Sequence, residues 1–240
     1  MKRVIIVGAT SGIGLEIAKN YLKEGWLVGM AGRREEILTE FQMSEPDRIF
    51  VEKIDINDEG SPLSLSRLID KLDGMDLFIL TSGIGSQNYA LEPDIELSTA
   101  DTNVKGFMRM TIAAFNYFCT KGGGHIAVIS SIAGTKGIGV APAYSATKRF
   151  QSTYIEALAQ LARLKKNHIR FTDIRPGFVA TALLKKDTYP MLMKSDNVAR
   201  KIVRAIRRQK RVVTIDYKYR LVVFLWRLTP RFLWERLPIR

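Results

Sequence analysis

Cysteine is nearly missing. The 240 residues hold one, Cys119, so no disulfide can form within the chain, and a lone thiol suits a reducing, cytoplasmic compartment. Histidine is almost as rare, with only His125 and His168. Neither is a sequence neighbour of Cys119, which removes a Cys–His nucleophile and leaves the thiol as a core residue. Both histidines are read as structural. No zinc-finger spacing occurs and no metal is expected. Long apolar runs are lacking too. Val4–Val7 follows Met1-Lys2-Arg3 in the manner of a signal peptide, but the run is too short and Gly8 interrupts it. Leu221–Trp226 is too short to cross a bilayer. Acidic residues are in deficit, 24 against 37 basic ones, for a net charge of +13. That excess suits nucleic acid, a membrane surface or an anionic small molecule. No RNP or heptad pattern accompanies it, so no nucleic-acid partner is expected.

What is present is a folding chain. Hydrophobic residues make up 46%, and the length suits one large domain rather than two. Short apolar runs predict strands at Val4–Val7, Leu27–Ala31, Ile49–Ile54, Leu77–Leu80, His125–Ser130, Arg170–Ile174 and Val212–Ile215. Three-to-four spacing predicts helices at Ile13–Lys23, Pro62–Leu72, Leu97–Thr120, Tyr144–Lys166 and Ser195–Gln209. Strands alternating with helices favour right-handed crossovers, hence an α/β fold with a doubly wound parallel sheet and helices on both faces.

Directly after the first strand stands Gly8-Ala9-Thr10-Ser11-Gly12-Ile13-Gly14. Glycines allow a tight turn and close approach of backbone to a pyrophosphate. The helix that starts here offers unpaired N–H groups to the anion. Gly8, Thr10, Ser11, Gly12, Ile13 and Gly14 are therefore candidate dinucleotide contacts. About 20 residues further on, such folds place an acid for an NAD ribose or an arginine for the NADP phosphate. The second strand ends here in Ala31-Gly32-Arg33-Arg34. Arg33 and Arg34 could grip a 2′-phosphate, and NADP(H) is the expected cofactor. Glu35 and Glu36 fall at the start of a helix.

Tyr144 and Lys148, in Tyr144-Ser145-Ala146-Thr147-Lys148, share one helix face. A phenol titrates at about 10 and is a poor base at neutral pH, but a nearby ammonium favours the phenolate. Tyr144 could then exchange a proton with a carbonyl or hydroxyl oxygen while hydride moves at carbon. Thirteen residues upstream, Ser131 ends a strand, where open α/β sheets bind ligands. Its hydroxyl could steady charge on the substrate oxygen.

With these motifs in order, the chain resembles the short-chain dehydrogenase/reductase family from residue 1 to about 215, through the glycine loop, Asp55, Asn103, Ser131, Tyr144, Lys148 and Arg175-Pro176-Gly177. The resemblance implies one Rossmann-type catalytic domain, residues 1–216, and an assembly that is a homo-dimer or homo-tetramer. It implies a ketone or secondary-alcohol substrate, hydrophobic in kind if the Met-bearing segment Phe178–Lys194 forms a mobile lid. By the same likeness Asn103 holds a water that links Lys148 to solvent. Asp55 contacts the adenine. Pro176, Gly177, Val179 and Thr181 embrace the nicotinamide, and Ser82 and Gly83 border the cofactor after strand four. Tyr144 and Lys148 also face the cofactor. Two departures stand out. Val7 precedes the first glycine where the family usually has Thr, and Leu80-Thr81-Ser82-Gly83 replaces Asn-Asn-Ala-Gly. Thr81 could supply one of the hydrogen bonds lost.

A dinucleotide sensor or scaffold is the rival outside enzymology, but it has no use for Asn103, Ser131, Tyr144 and Lys148 together. An epimerase or dehydratase needs a larger C-terminal region than follows Pro176. Residues 217–240 form a basic amphipathic tail, with six Arg/Lys, one Glu and interleaved Phe232, Leu233, Trp226 and Trp234. The pattern suits a helix in a membrane interface or against another subunit.

Overall fold

The computed structural model describes residues 1–184 and 189–239. The chain runs β1 (Arg3–Val7), α1 (Gly12–Lys23), β2 (Leu27–Gly32), α2 (Glu35–Ser44), β3 (Ile49–Lys53), α3 (Ser61–Lys71), β4 (Leu77–Leu80) and α4 (Pro93–Ala100). A π-helical turn (Asp101–Gly106) leads into α5 (Phe107–Thr120), then β5 (Gly123–Ile129), a 3₁₀ turn (Ile132–Thr135), α6 (Pro142–Leu164) and β6 (His168–Arg175). The rest is β7 (Val179–Ala180), β8 (Met193–Lys194), α7 (Ser195–Arg207), β9 (Val212–Thr214), α8 (Tyr217–Leu228) and α9 (Arg231–Trp234).

Seven strands form one parallel sheet in the order β3-β2-β1-β4-β5-β6-β9. Alternation along β1 shows why it lies in the middle. Ile5 and Val7 point into a layer with α3, α5 and α6. Val4 and Ile6 point into the other, with α1 and α7. All four side chains are fully buried, as a strand covered on both faces requires. Sheet growth reverses between β1 and β4, and a crevice opens beyond their C-terminal ends, the usual ligand position in such sheets.

Three features depart from the expected elements. The single helix expected over 97–120 is three pieces, with the π turn in the middle. Helix α2 runs on to Ser44, well past the two glutamates at its start. The tail, expected as one amphipathic stretch, is two helices parted by Thr229 and Pro230.

Candidate active site

The glycine loop occupies the crevice. Gly8 has φ of +96°, a left-handed conformation that side chains resist. It sits against Thr81 and Ser82 of the β4 loop. Thr81 Oγ1 lies 3.0 Å from both Val7 O and Gly8 O and donates to them, and the N–H of Thr81 donates to Val7 O at 2.8 Å. The threonine hydroxyl thus ties β4 to β1, supplying a hydrogen bond at the position where the family usually has Asn. Gly14 packs on the carbonyl of Gly8. At Gly12, with φ of +55°, a Cβ would crowd Thr181 Cγ2 at 3.0 Å, so the loop after β6 meets the glycine loop there.

Ser11 stands at the N-cap of α1, yet its side chain makes no capping bond. The first-turn N–H groups of α1 therefore remain open to an anion. Arg34 instead takes the loop hydroxyls. Its Nη2 donates to Thr10 Oγ1 at 2.8 Å and to Ser11 Oγ at 2.6 Å. A guanidinium, two hydroxyls and a helix N-terminus converge in one glycine-lined cradle, which fits the phosphates of a dinucleotide. Arg33, at the end of β2, is exposed. Asp55, after β3, accepts from the N–H of Asn57 at 3.0 Å and so shapes its own turn.

The second group forms along β5 and α6. Ser131 follows β5, and its Oγ accepts from the N–H of Ala133 at 3.1 Å. Tyr144 lies in the first turn of α6, half-buried, with its ring on Gly85. Glu96 of α4 accepts from the N–H of Ala143 at 2.8 Å, satisfying one of the free donors at the start of α6 and pinning the turn that carries Tyr144. Lys148 Nζ lies 5.7 Å from the Tyr144 ring centroid and 3.4 Å from the Cβ position of Gly83. Asn103, in the π turn, bonds Ile84 in both directions: Ile84 N–H to Oδ1 at 2.9 Å, and Nδ2 to Ile84 O at 2.7 Å. The structure thus brings Asn103, Ser131, Tyr144, Lys148 and Gly83 together, with the glycine loop beside them.

One residue of this group escapes sequence reasoning. Gln151 is buried on α6. Its Oε1 accepts from Lys148 Nζ at 3.0 Å, and its Nε2 donates to Asn103 O at 3.0 Å. The π turn makes this possible, because the N–H groups at its C-terminal end go to Thr102 O and Val104 O. The amide of Gln151 therefore links Lys148 directly to the backbone of Asn103. A second carbonyl, Ile129 O, accepts from Lys148 at 3.0 Å.

Burial pulls Lys148 down to about 8, with Asp173 opposing. Burial also pushes Tyr144 up, while the Ser131 hydroxyl opposes. Lysine was expected to lower the phenol. Burial dominates at this phenol, which keeps its proton at neutral pH. Asp173 is itself buried, bonded to Ser130 Oγ and paired with Arg175 at 2.7 Å.

The loop after β6 closes the site. Gly177 packs on the Tyr219 ring. Tyr219 Oη accepts from the N–H of Phe178 at 3.0 Å and donates to Pro190 O and Met191 O, each at 3.1 Å. Val179 is buried, and β7 pairs with β8. Residues 185–188 of the expected lid, and Arg240 of the tail, lie outside the described residues.

A parallel doubly wound sheet, a phosphate cradle and a Ser–Tyr–Lys group at one crevice define a dinucleotide-dependent oxidoreductase. The short chain dehydrogenase family model matches residues 2–191, and the chain belongs to that family. Nicotinamide dinucleotides are the family's cofactors. An uncharacterized oxidoreductase of Mycobacterium tuberculosis is 31% identical, with 96% of this chain and 95% of that protein covered. Sulfoacetaldehyde reductase 2 of Chromohalobacter salexigens is 31% identical, covering 74% of this chain and 73% of that one. In fold the chain is similar to a 3-ketoacyl-(acyl-carrier-protein) reductase from Brucella melitensis complexed with NADH, at TM-score 0.78 and 24% identity, covering 90% and 96%. It is also similar to ElxO with NADP bound, at TM-score 0.80 and 22% identity, covering 92% and 99%.

Proposed function

We propose that the protein reduces a ketone to a secondary alcohol with NADPH. The observation that carries the cofactor choice is Arg34 gripping Thr10 and Ser11 at the phosphate loop, where a 2′-phosphate would complete the cluster of donors. Arg33 stands beside it to add charge. A relative from Escherichia coli, 29% identical over 73% of this chain and 72% of that protein, is an NADP-dependent 3-hydroxy acid dehydrogenase, which supports the same reading.

The backbone of Gly8, Gly12, Ile13 and Gly14 would hold the pyrophosphate. Asp55 would border the adenine, Ser82 and Gly83 the cofactor beyond the end of β4, and Pro176, Gly177, Val179 and Thr181 the nicotinamide half. When bound, the dinucleotide supplies the hydride. Ser131 Oγ donates to the carbonyl oxygen and orients it. Tyr144, held protonated by its burial, passes the phenolic proton to that oxygen. Lys148, cationic below about pH 8, steadies the phenolate left behind until solvent returns a proton. Asn103 fixes the Gly83–Ile84 loop against Lys148 through Ile84. A cytoplasmic homo-dimer or homo-tetramer is the assembly this reading expects.

The test is NADPH oxidation across a panel of ketones. Tyr144→Phe should lower turnover by about a hundredfold or more while NADPH still binds. Arg34→Ala should weaken NADPH by about tenfold to a hundredfold, the worth of a hydrogen bond to a charged group, and leave NADH nearly unchanged. Equal affinity of the wild type for the two dinucleotides would refute the cofactor choice.

A further inference from the structure

The inner faces of α8 and α9 are used up by the protein itself. Tyr219, Val223 and Trp234 are buried. Trp234 Nε1 donates to Gly137 O at 2.7 Å, and Lys136 Nζ donates to Thr229 O at 2.9 Å. Among the described residues the outer faces stay largely open. Leu221, Phe224, Leu225 and Leu228 on α8, with Phe232 and Leu233 on α9, are each 45–66% exposed. At about 100° per residue, the four α8 positions form a single stripe. Lys218 lies along one edge of that stripe, and Arg220 and Arg227 along the other. Arg231 and Arg236 follow on α9. So large an apolar face on one end of a molecule marks an interaction surface.

Charge decides the occupant. Residues 217–240 hold six Arg/Lys against one acid, Glu235, and Glu235 is already paired with Arg231 at 2.7 Å. A second copy docking by the same face would set arginine rows against each other with no acid between. An anionic lipid surface complements both features at once, taking the apolar stripe below its headgroups and the flanking cations among them. Among the described residues no helix is long and apolar enough to span a bilayer, so the contact is peripheral.

The same helices grip both loops that flank Ser131. Tyr219 holds Phe178 and Met191, and Trp234 holds Gly137. Whatever lies against α8 and α9 is therefore one helix away from the loops beside Ser131. We infer that the outer face of α8 and α9 docks on anionic membrane and that the protein takes a long-chain, membrane-resident ketone from it. The substrate half of this statement rests on the ketone-reductase reading; the docking half does not.

The experiment uses the full chain and two vesicle types, phosphatidylglycerol mixed with phosphatidylcholine, and phosphatidylcholine alone. The wild type should sediment with the anionic vesicles at low salt and come off at high salt. A Phe224→Ser/Leu228→Ser/Phe232→Ser variant should bind at least about tenfold more weakly. It should keep its thermal midpoint and its activity on a short, water-soluble ketone, and lose turnover of a long-chain ketone carried in the vesicles. Failure of the wild type to bind anionic vesicles would overturn the docking. Equal binding by the variant would overturn the assignment to this face, and a smaller oligomer in the variant would give the face to a second copy. Vesicle binding without any NADPH oxidation would leave the docking in place and remove the reductase reading with its substrate.

Discussion

Lys148 is held by two uncharged oxygens, Ile129 O and Gln151 Oε1. An ammonium buried among neutral acceptors keeps its charge largely through those bonds, helped here by the Asp173 carboxylate, and burial already pulls this one down to about 8. Reduction needs Lys148 cationic, so activity should fall as pH rises through that value. Gln151→Leu keeps the volume and removes an acceptor. A hydrogen bond to a charged group is worth about 1.5–3 kcal/mol, so the falling limb of kcat/KM should move down by roughly 1 to 2 pH units. Gln151→Glu should move it up. A limb that stays put in both variants would leave Gln151 with a packing role only. Tyr144, Lys148 and Ser131 could be read from the sequence because chemistry dictates their spacing and their place at a strand end. Gln151 could not. A lone glutamine on a helix carries no signal, and its partner on Asn103 is a backbone oxygen. Arg34 was legible as one of a pair, but only its bonds to Thr10 and Ser11 separate it from the exposed Arg33.

At the scale of elements, the seven sheet strands were legible because each is a short, largely apolar run, buried on both faces in the central β1 and β4 and less covered in the edge strands β3 and β9. The π turn was not, since one extra residue per turn leaves the apolar spacing of 97–120 almost intact. Its effect is nonetheless local and chemical, because it frees Asn103 O for Gln151. His125 shows what a buried strand does to a titrating group. Its Nε2 sits 2.9 Å from Thr172 Oγ1, across from β5 to β6, and burial, helped by Arg170, lowers its pKa to about 4. The unfolded chain takes up this proton at about 6.5, before the folded one does. Neutral His125 therefore supports the fold fully above about 6.5, and that support is lost as pH falls towards 4. The thermal midpoint of the wild type should drop across this window, and that of His125→Gln should drop less. Identical drops would place the acid sensitivity elsewhere.

For the whole molecule, composition draws a boundary at residue 216, while packing runs across it. The basic, aromatic character of residues 217–240 was legible. The division of labour between their two faces was not, because the inner face is defined by partners far away in sequence: Gly177, Phe178 and Met191 for Tyr219, and Gly137 for Trp234. Truncation after Asp216 would strip three buried side chains, Tyr219, Val223 and Trp234, each worth about 1.5–3 kcal/mol on burial, offset in part by the chain entropy of holding the tail. The net loss should be a few kcal/mol, lowering the thermal midpoint by on the order of 10 °C. The phosphate cradle owes nothing to the tail, so NADPH should still bind. The loops beside Ser131 lose their anchors, so KM for even a water-soluble ketone should rise. Calorimetry, cofactor titration and ketone kinetics on the truncated chain check the three parts. An unchanged midpoint and KM would mean that the inner faces of α8 and α9 do not hold those loops in solution.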